Sequence, residues 1–286
     1  MQRWIRAVRE WAHRGREPAP VRIGVALGGG FARVLAHAGV LQVLEENRVP
    51  VHAIAGISSG AIFAAGYAGG SSIQQMISTG ALTSFSSYAR WTLSRMGLAT
   101  NDRMRTYLKK TLPATRFEQM RIPLAVVATD LTTGQPAVFR DAGDVLDPLR
   151  ASCAYPGLFL PVEIGGRWLV DGGISLQVPV EAAAALGATH VVAVYLRTGP
   201  HSDAGPGNIF QVVSRCFAIM QDRLIMEWER IPHVVIEPEV AEFAWDAFDR
   251  VPELVEAGRQ AALSVLPQIR GWLAAGASRA SAKPRS

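Results

Sequence analysis

Cysteine is nearly absent from this chain: Cys153 and Cys216 are the two in 286 residues. That count excludes a disulfide framework, and the spacing is not that of zinc ligands, so the expectation is a reducing compartment and no metal. Charge is sparse too, at 19% of residues against 49% hydrophobic, which excludes disorder over most of the length. Long apolar runs are missing as well. No stretch reaches the ~20 residues of a membrane-spanning helix, and the N-terminus has no apolar core followed by a small-residue cleavage site. The chain therefore reads as soluble and cytoplasmic. It has no basic stripe interleaved with aromatics, so no nucleic-acid partner is expected.

Much of the excess positive charge, formally +5, lies at the two ends. Residues 1–18 place Trp4, Ile5, Val8 and Trp11 on one helical side and Arg3, Arg6, Arg9 and Arg14 where they can reach the other. Such a basic amphipathic helix either packs on its own domain or lies peripherally on the inner membrane face. Residues 19–276 read as one domain, because no Pro/Ser-rich linker divides them. The last ten, "ASRASAKPRS" at 277–286, predict a disordered basic tail.

Within the domain, a buried strand over 21–27 leads through three glycines into a helix from about Ala32 to Asn47. A second strand over 51–55 leads through "GISSG" into a helix of small residues from Ser59 to about Tyr67. Strand, helix, strand and helix in succession predict a three-layer α/β/α sandwich with a mainly parallel central sheet. Further strands are expected at 122–129, 136–139, 167–170 and 189–196, and late helices over 208–229 and 252–274. Residues 70–112 break the rhythm and read as helical cap material, apolar and aromatic but poorly periodic.

"GISSG" fits G-x-S-x-G, the sharp strand-to-helix turn that projects a serine oxygen, here that of Ser58. A serine at a helix start is also an ordinary N-cap. A nucleophilic serine needs oxyanion donors and a base. In a parallel sheet the turns after the first two strands emerge at one edge, so the amides of Gly28, Gly29 and Gly30 can approach Ser58. A dinucleotide fingerprint fails because Arg33 stands where its third glycine belongs, and a Walker loop fails for want of Gly-Lys-Ser/Thr. For the base, His13, His37, His52 and His190 read as structural, while His201 and His233 stay open. Asp171 in "WLVDGGISLQVPV" is the other candidate, either a base or an Asp-Gly turn between strands.

"GGGFAR", "GISSG" and "DGG", in this order, resemble the patatin-like phospholipases, and the intervening text is similar to the bacterial branch allied to the esterase domain of neuropathy target esterase. The resemblance implies a Ser-Asp dyad lipid hydrolase with Ser58 as nucleophile and Asp171 as base. It implies an oxyanion hole of the amides from Gly28 to Phe31, and Arg33 either steadying that loop or facing an anionic headgroup. It implies no cofactor, and phospholipid, lysophospholipid or fatty acyl ester substrates; for such substrates the apolar segment from about Met76 to Leu98 is either the acyl-chain wall or ordinary packing. The chain departs from the family at Phe31 and Val34, where glycine is usual, and at Gln177, where asparagine is usual. Three other readings remain: an α/β-hydrolase esterase using His201 or His233, a non-catalytic lipid-binding or regulatory protein of the same fold, and an acyltransferase.

Overall fold

The computed structural model describes residues 20–82, 85–197, 205–224 and 231–281. The helix expected over 1–18, His13 and His201 lie outside the described residues. The chain begins with β1 (Ile23–Leu27), a 3-10 turn (Phe31–Val34), α1 (Leu35–Glu46), β2 (Val51–Ile57) and α2 (Ser58–Gly69). The predicted cap is α3 (Ile73–Ala81), α4 (Phe85–Tyr88) and α5 (Asp102–Thr111), with a two-residue antiparallel pair, β3 (Arg90–Trp91) and β4 (Ala99–Thr100), between the last two. There follow β5 (Leu124–Asp130), β6 (Pro136–Arg140), α6 (Leu146–Ser152), β7 (Val162–Ile164), β8 (Arg167–Val170), α7 (Val180–Ala185) and β9 (His190–Val194). The chain ends with α8 (Ile209–Arg223), β10 (His233–Ile236) and α9 (Val251–Ser281).

The sheet is the expected one at its centre. Strands β10, β9, β1, β2 and β5 lie side by side and parallel, while β6, β8 and β7 are joined antiparallel at one end. Side-chain alternation sends Ile23, Val25 and Leu27 to the face covered by α1 and α2, and Ala26, Ala55 and Ala125 to the face covered by α7. Burial of both faces explains why β1, and β5 from Leu124 to Ala128, read as unbroken apolar runs. Helix α9 crosses α1 at backbone distance: a Cβ at Gly39 would sit 1.9 Å from the Val255 carbonyl oxygen, so only glycine permits the crossing. The same helix corrects the expected tail, since it continues to Ser281 before the described residues end. Among the described residues, no helix is long and apolar enough to cross a membrane.

One junction positions the site. On β5, Leu124 to Val127 pair with β2, and Ala125 to Thr129 pair with β6. The two partners overlap, so they occupy opposite edges. Thr129 and Asp130 also pair with β8, and because β6 already holds Thr129 on its own edge, β8 lies on the β2 edge. Strand β2 stops at Ile57 and β8 arrives from the opposite direction, stopping at Val170. The residues that follow these two strand ends, Ser58 and Asp171, are thereby turned toward each other.

Candidate active site

Ser58 has φ of +52°, a left-handed conformation that costs a non-glycine residue about 1–3 kcal/mol and is held by its surroundings. Part of that hold is a hydrogen bond absent from any sequence pattern: the Ser58 amide donates to Ser152 Oγ at 2.8 Å, and Ser152 Oγ donates to the Val127 carbonyl at 2.6 Å. Ser152 is fully buried at the end of α6. With its backbone fixed, Ser58 Oγ donates to Asp171 Oδ2 at 2.7 Å.

Asp171 is buried, with 2% exposure. Its second oxygen accepts the Gly173 amide at 2.9 Å, and its carbonyl accepts Thr129 Oγ1 at 2.9 Å, fixing the turn from both sides. Burial pushes its carboxyl up from 3.8 to about 6, against the opposing pull of the Gly173 and Ser58 hydrogen bonds. The result is a carboxylate more basic than usual and still ionised at neutral pH.

The glycine turn closes over the same point. A Cβ at Gly29 would fall 2.8 Å from Ser58 Cβ, so a side chain there would displace the serine. The amides divide into used and open. Gly28 donates to the Val194 carbonyl at 3.0 Å, which corrects its expected place among the oxyanion donors: extension of the parallel β1–β9 ladder consumes it. Gly30 donates to Ser59 Oγ at 3.2 Å. No acceptor among the described residues takes the amides of Gly29 or Phe31. Buried His37 donates from Nε2 to the Gly28 carbonyl at 2.8 Å, and burial lowers its imidazole to about 4, so it is a neutral brace.

The usual glycine positions are filled differently. Val34 has φ of −59°, which any residue adopts, so no glycine is required. Phe31 does adopt φ of +52°, and its ring packs edge-on against Tyr155 and Trp245, each with centroids 5.4 Å away. Arg33 is buried behind the turn with Nε donating to the Gly30 carbonyl at 3.4 Å. It is not among the residues that line the cavity. Gln177 ties the Asp171 turn to α8 by donating to the Gln221 carbonyl, while Gln221 donates back to the Gly173 carbonyl at 3.2 Å.

Ser58 and Asp171 open into a cavity lined mainly by apolar side chains. Its floor is one side of α2, with Ser59, Ile62, Phe63 and Gly66. Met76, Thr79 and Gly80 of α3 and Met104, Tyr107 and Thr111 of α5 form the sides. The wall expected over Met76–Leu98 is thus half correct. Met76, Thr79, Gly80 and Tyr88 contribute, whereas Trp91, Leu93, Met96 and Leu98 are exposed to solvent. Cys153 also lines the cavity, and burial raises its thiol well above the ordinary value, leaving it a small apolar wall residue. His233 begins β10 level with Val191, three residues short of the sheet edge that carries Ser58, or about 10 Å along the strand. Among the described residues, no three His, Cys, Asp or Glu side chains gather as a metal site.

The profile of the patatin-like phospholipases matches residues 25–184, which span β1, the glycine turn, the serine turn and the Asp171 turn. The chain belongs to the patatin-like phospholipase family. It is 32% identical over 210 residues to an uncharacterized NTE family protein of Mycobacterium tuberculosis, covering 68% of this chain and 55% of that one. It is 28% identical over 301 residues to the lysophospholipase NTE1 of Mycosarcoma maydis, covering 93% of this chain and 16% of that protein. The chain thus spans about half the length of its mycobacterial relatives. In shape it is similar to VipD from Legionella pneumophila, with a TM-score of 0.48 at 13% identity over 87% of this chain and 67% of that one.

Proposed function

We propose that this patatin-like domain hydrolyses carboxylic esters of fatty acyl chains, phospholipids or lysophospholipids among them, with a Ser58–Asp171 dyad. The observation that carries the proposal is the 2.7 Å hydrogen bond from Ser58 Oγ to a buried carboxylate raised to about 6, at the head of an apolar cavity. Ser58 Oγ attacks the acyl carbonyl as its proton passes to Asp171 Oδ2. The carbonyl oxygen takes the charge and is met by the open amides of Gly29 and Phe31, each such donor contributing about 3 kcal/mol in the transition state. Collapse of the tetrahedral intermediate breaks the ester bond, and Asp171 returns the proton to the departing alkoxide. Water then attacks the acyl-enzyme, giving its proton to Asp171, and the fatty acid leaves as Ser58 regains a proton.

The family and the lysophospholipase among the relatives support the reaction class; the geometry supports the roles. The test is hydrolysis of a lysophospholipid and a soluble short-chain chromogenic ester by the full chain. Ser58→Ala and Asp171→Asn should each reduce turnover to background while the protein remains folded. Inert wild-type protein, or variants as active as it, would overturn the proposal.

A further inference from the structure

Large apolar side chains exposed to solvent are not spread evenly over this molecule. Among the described residues, most lie on three segments, and each segment is attached to a cavity residue near Ser58. Isolated exposed apolar residues need no explanation, whereas a contiguous set marks a binding surface.

The first segment is the loop from Thr92 to Leu98, closed by the Thr92 amide donating to the Leu98 carbonyl at 3.0 Å. Its base is fixed to the cavity wall, since Ala99 pairs with Phe159 and the Leu98 and Ala99 amides both donate to the Leu158 carbonyl. At its tip Leu93 is fully exposed, and Trp91, Met96 and Leu98 are exposed around it. The second is α8. Its inner side packs Val213 over Gly157 and Phe217 onto Tyr155, with ring centroids 4.8 Å apart. Its outer side repeats at three- and four-residue steps, Ile209, Val212, Cys216 and Ile219, all exposed. The third is Trp245, which contacts Phe31 and is 40% exposed. A chain of aromatic contacts, Trp245 to Phe31 to Tyr155 to Phe217, links two of the three across the catalytic end of the cavity.

We propose that this apolar collar docks the domain onto an anionic phospholipid surface, with the 92–98 loop and the outer face of α8 immersed at the headgroup–acyl boundary and the cavity mouth facing the bilayer. The proposal rests on the acyl-ester reading of the cavity, because an acyl chain entering from a bilayer then meets apolar surface all the way to Ser58. Charge selects the lipid. Arg90 and Arg95 are exposed beside the loop, where no Asp or Glu occurs from Leu82 to Asn101; the exposed acids of the collar, Glu242, Asp246 and Asp249, flank Trp245, outside the two immersed segments.

The test is co-sedimentation of the full chain with vesicles of phosphatidylcholine alone and of phosphatidylcholine mixed with phosphatidylglycerol. Turnover of a soluble short-chain ester is measured in parallel. The wild type should sediment with the anionic vesicles. Leu93→Asp with Met96→Asp, and separately Ile209→Asp with Val212→Asp, should each weaken partitioning about tenfold or more. Arg90→Gln with Arg95→Gln should remove the preference for anionic vesicles. Soluble-ester turnover by the Leu93/Met96 variant should match wild type, showing that the fold and the Ser58 site are intact. The proposal is overturned if the wild type does not bind, if both apolar pairs leave binding unchanged, or if they dissolve a dimer without affecting vesicle binding. Absence of soluble-ester turnover in the wild type would instead overturn the acyl-ester reading, with the vesicle result still deciding the docking surface.

Discussion

Replacing Asp171 with asparagine should make the fold more stable while removing its activity. The folded chain holds a proton on Asp171 more tightly than the unfolded chain does, with the carboxyl moved from 3.8 to about 6. That part of the stability is therefore complete below about pH 4 and is lost as pH rises through about 6. The loss is the shift multiplied by 1.36 kcal/mol per pH unit, or about 3 kcal/mol at neutral pH. Asparagine carries no charge to desolvate. Its oxygen can keep the Gly173 amide, and its amino group can donate to Ser58 Oγ, so the polar contacts survive with one reversed. Asp171→Asn should thus gain up to about 3 kcal/mol near pH 8, a rise in Tm of several degrees, and the gain should shrink toward zero near pH 4. Thermal unfolding of both proteins in matched buffers reads this difference directly. Ester hydrolysis by the wild type should rise about tenfold per pH unit below 6 and level off above it, as expected of a base that must be ionised. A variant no more stable than wild type near pH 8, or a Tm difference independent of pH, would refute the reasoning.

Three further outcomes follow from other contacts. Ser152→Ala leaves the Ser58 amide without its acceptor, so it should lose about 1–3 kcal/mol of stability and lower kcat more than it raises KM, read by denaturant melts and ester kinetics. Along α2 the floor from Ser58 to Gly66 is about 12 Å long, room for about ten chain atoms at the spacing of an extended chain. The kcat/KM profile across ester chain lengths should accordingly peak near ten carbons; Met76→Ala should move the peak to longer chains and Gly66→Leu to shorter ones, whereas a merely structural defect would lower every chain length alike. His37, lowered to about 4 from 6.5, contributes stability that is complete above about 6.5 and lost as pH falls through about 4; His37→Gln should remove about 3 kcal/mol of that acid sensitivity, seen as a flatter Tm between about pH 4 and 6.5.

The parts of this fold that depend on local pattern were legible in the sequence. The runs over 21–27 and 51–55 and the small-residue helix after "GISSG" show as β1, β2 and α2, because each strand is mostly apolar and each turn is marked by glycine. Strands β7 and β10, of three and four residues, carry too few positions for alternation to show. The end of α9 was hidden by composition: "ASRAS" is small and basic, yet alanine and arginine propagate a helix, and after Pro267 no proline interrupts until Pro284. The candidate site divides the same way. Ser58 and Asp171 each announce a turn, but their meeting depends on β2 and β8 sharing one edge of β5, through pairings such as Ile54 with Leu124 and Thr129 with Val170 that no local pattern shows. Ser152 sits in "RASCAYPG" with nothing to distinguish it from a core serine. Gly28 was assigned by its neighbours, and its amide belongs instead to β9.

A carboxylate can stand in for an imidazole here only within a narrow balance, and the surroundings of Asp171 set it. Burial alone raises the carboxyl; carried further, it would leave the group protonated at neutral pH and unable to accept the serine proton. An opposite charge within reach would do the reverse and return the group to the weak basicity of an ordinary aspartate. Among the described residues, Asp171 has no ion-pair partner, and its ionised form is supported by neutral donors, the Gly173 amide and the Ser58 hydroxyl. Neutral donors lower the pKa less than a cation would, which leaves it near 6 instead of near 4. The donor from Ser58 is the one that departs during the proposed reaction, as its proton crosses to Asp171 and the attacking oxygen leaves. At that moment the Gly173 amide is the remaining support of the pair, and the protonated carboxyl is poised to give its proton to the leaving alkoxide. In the proposed reaction the strained Ser58 backbone and the buried Ser152 hold the hydroxyl while the Gly173 turn holds the carboxylate, the two meeting at 2.7 Å.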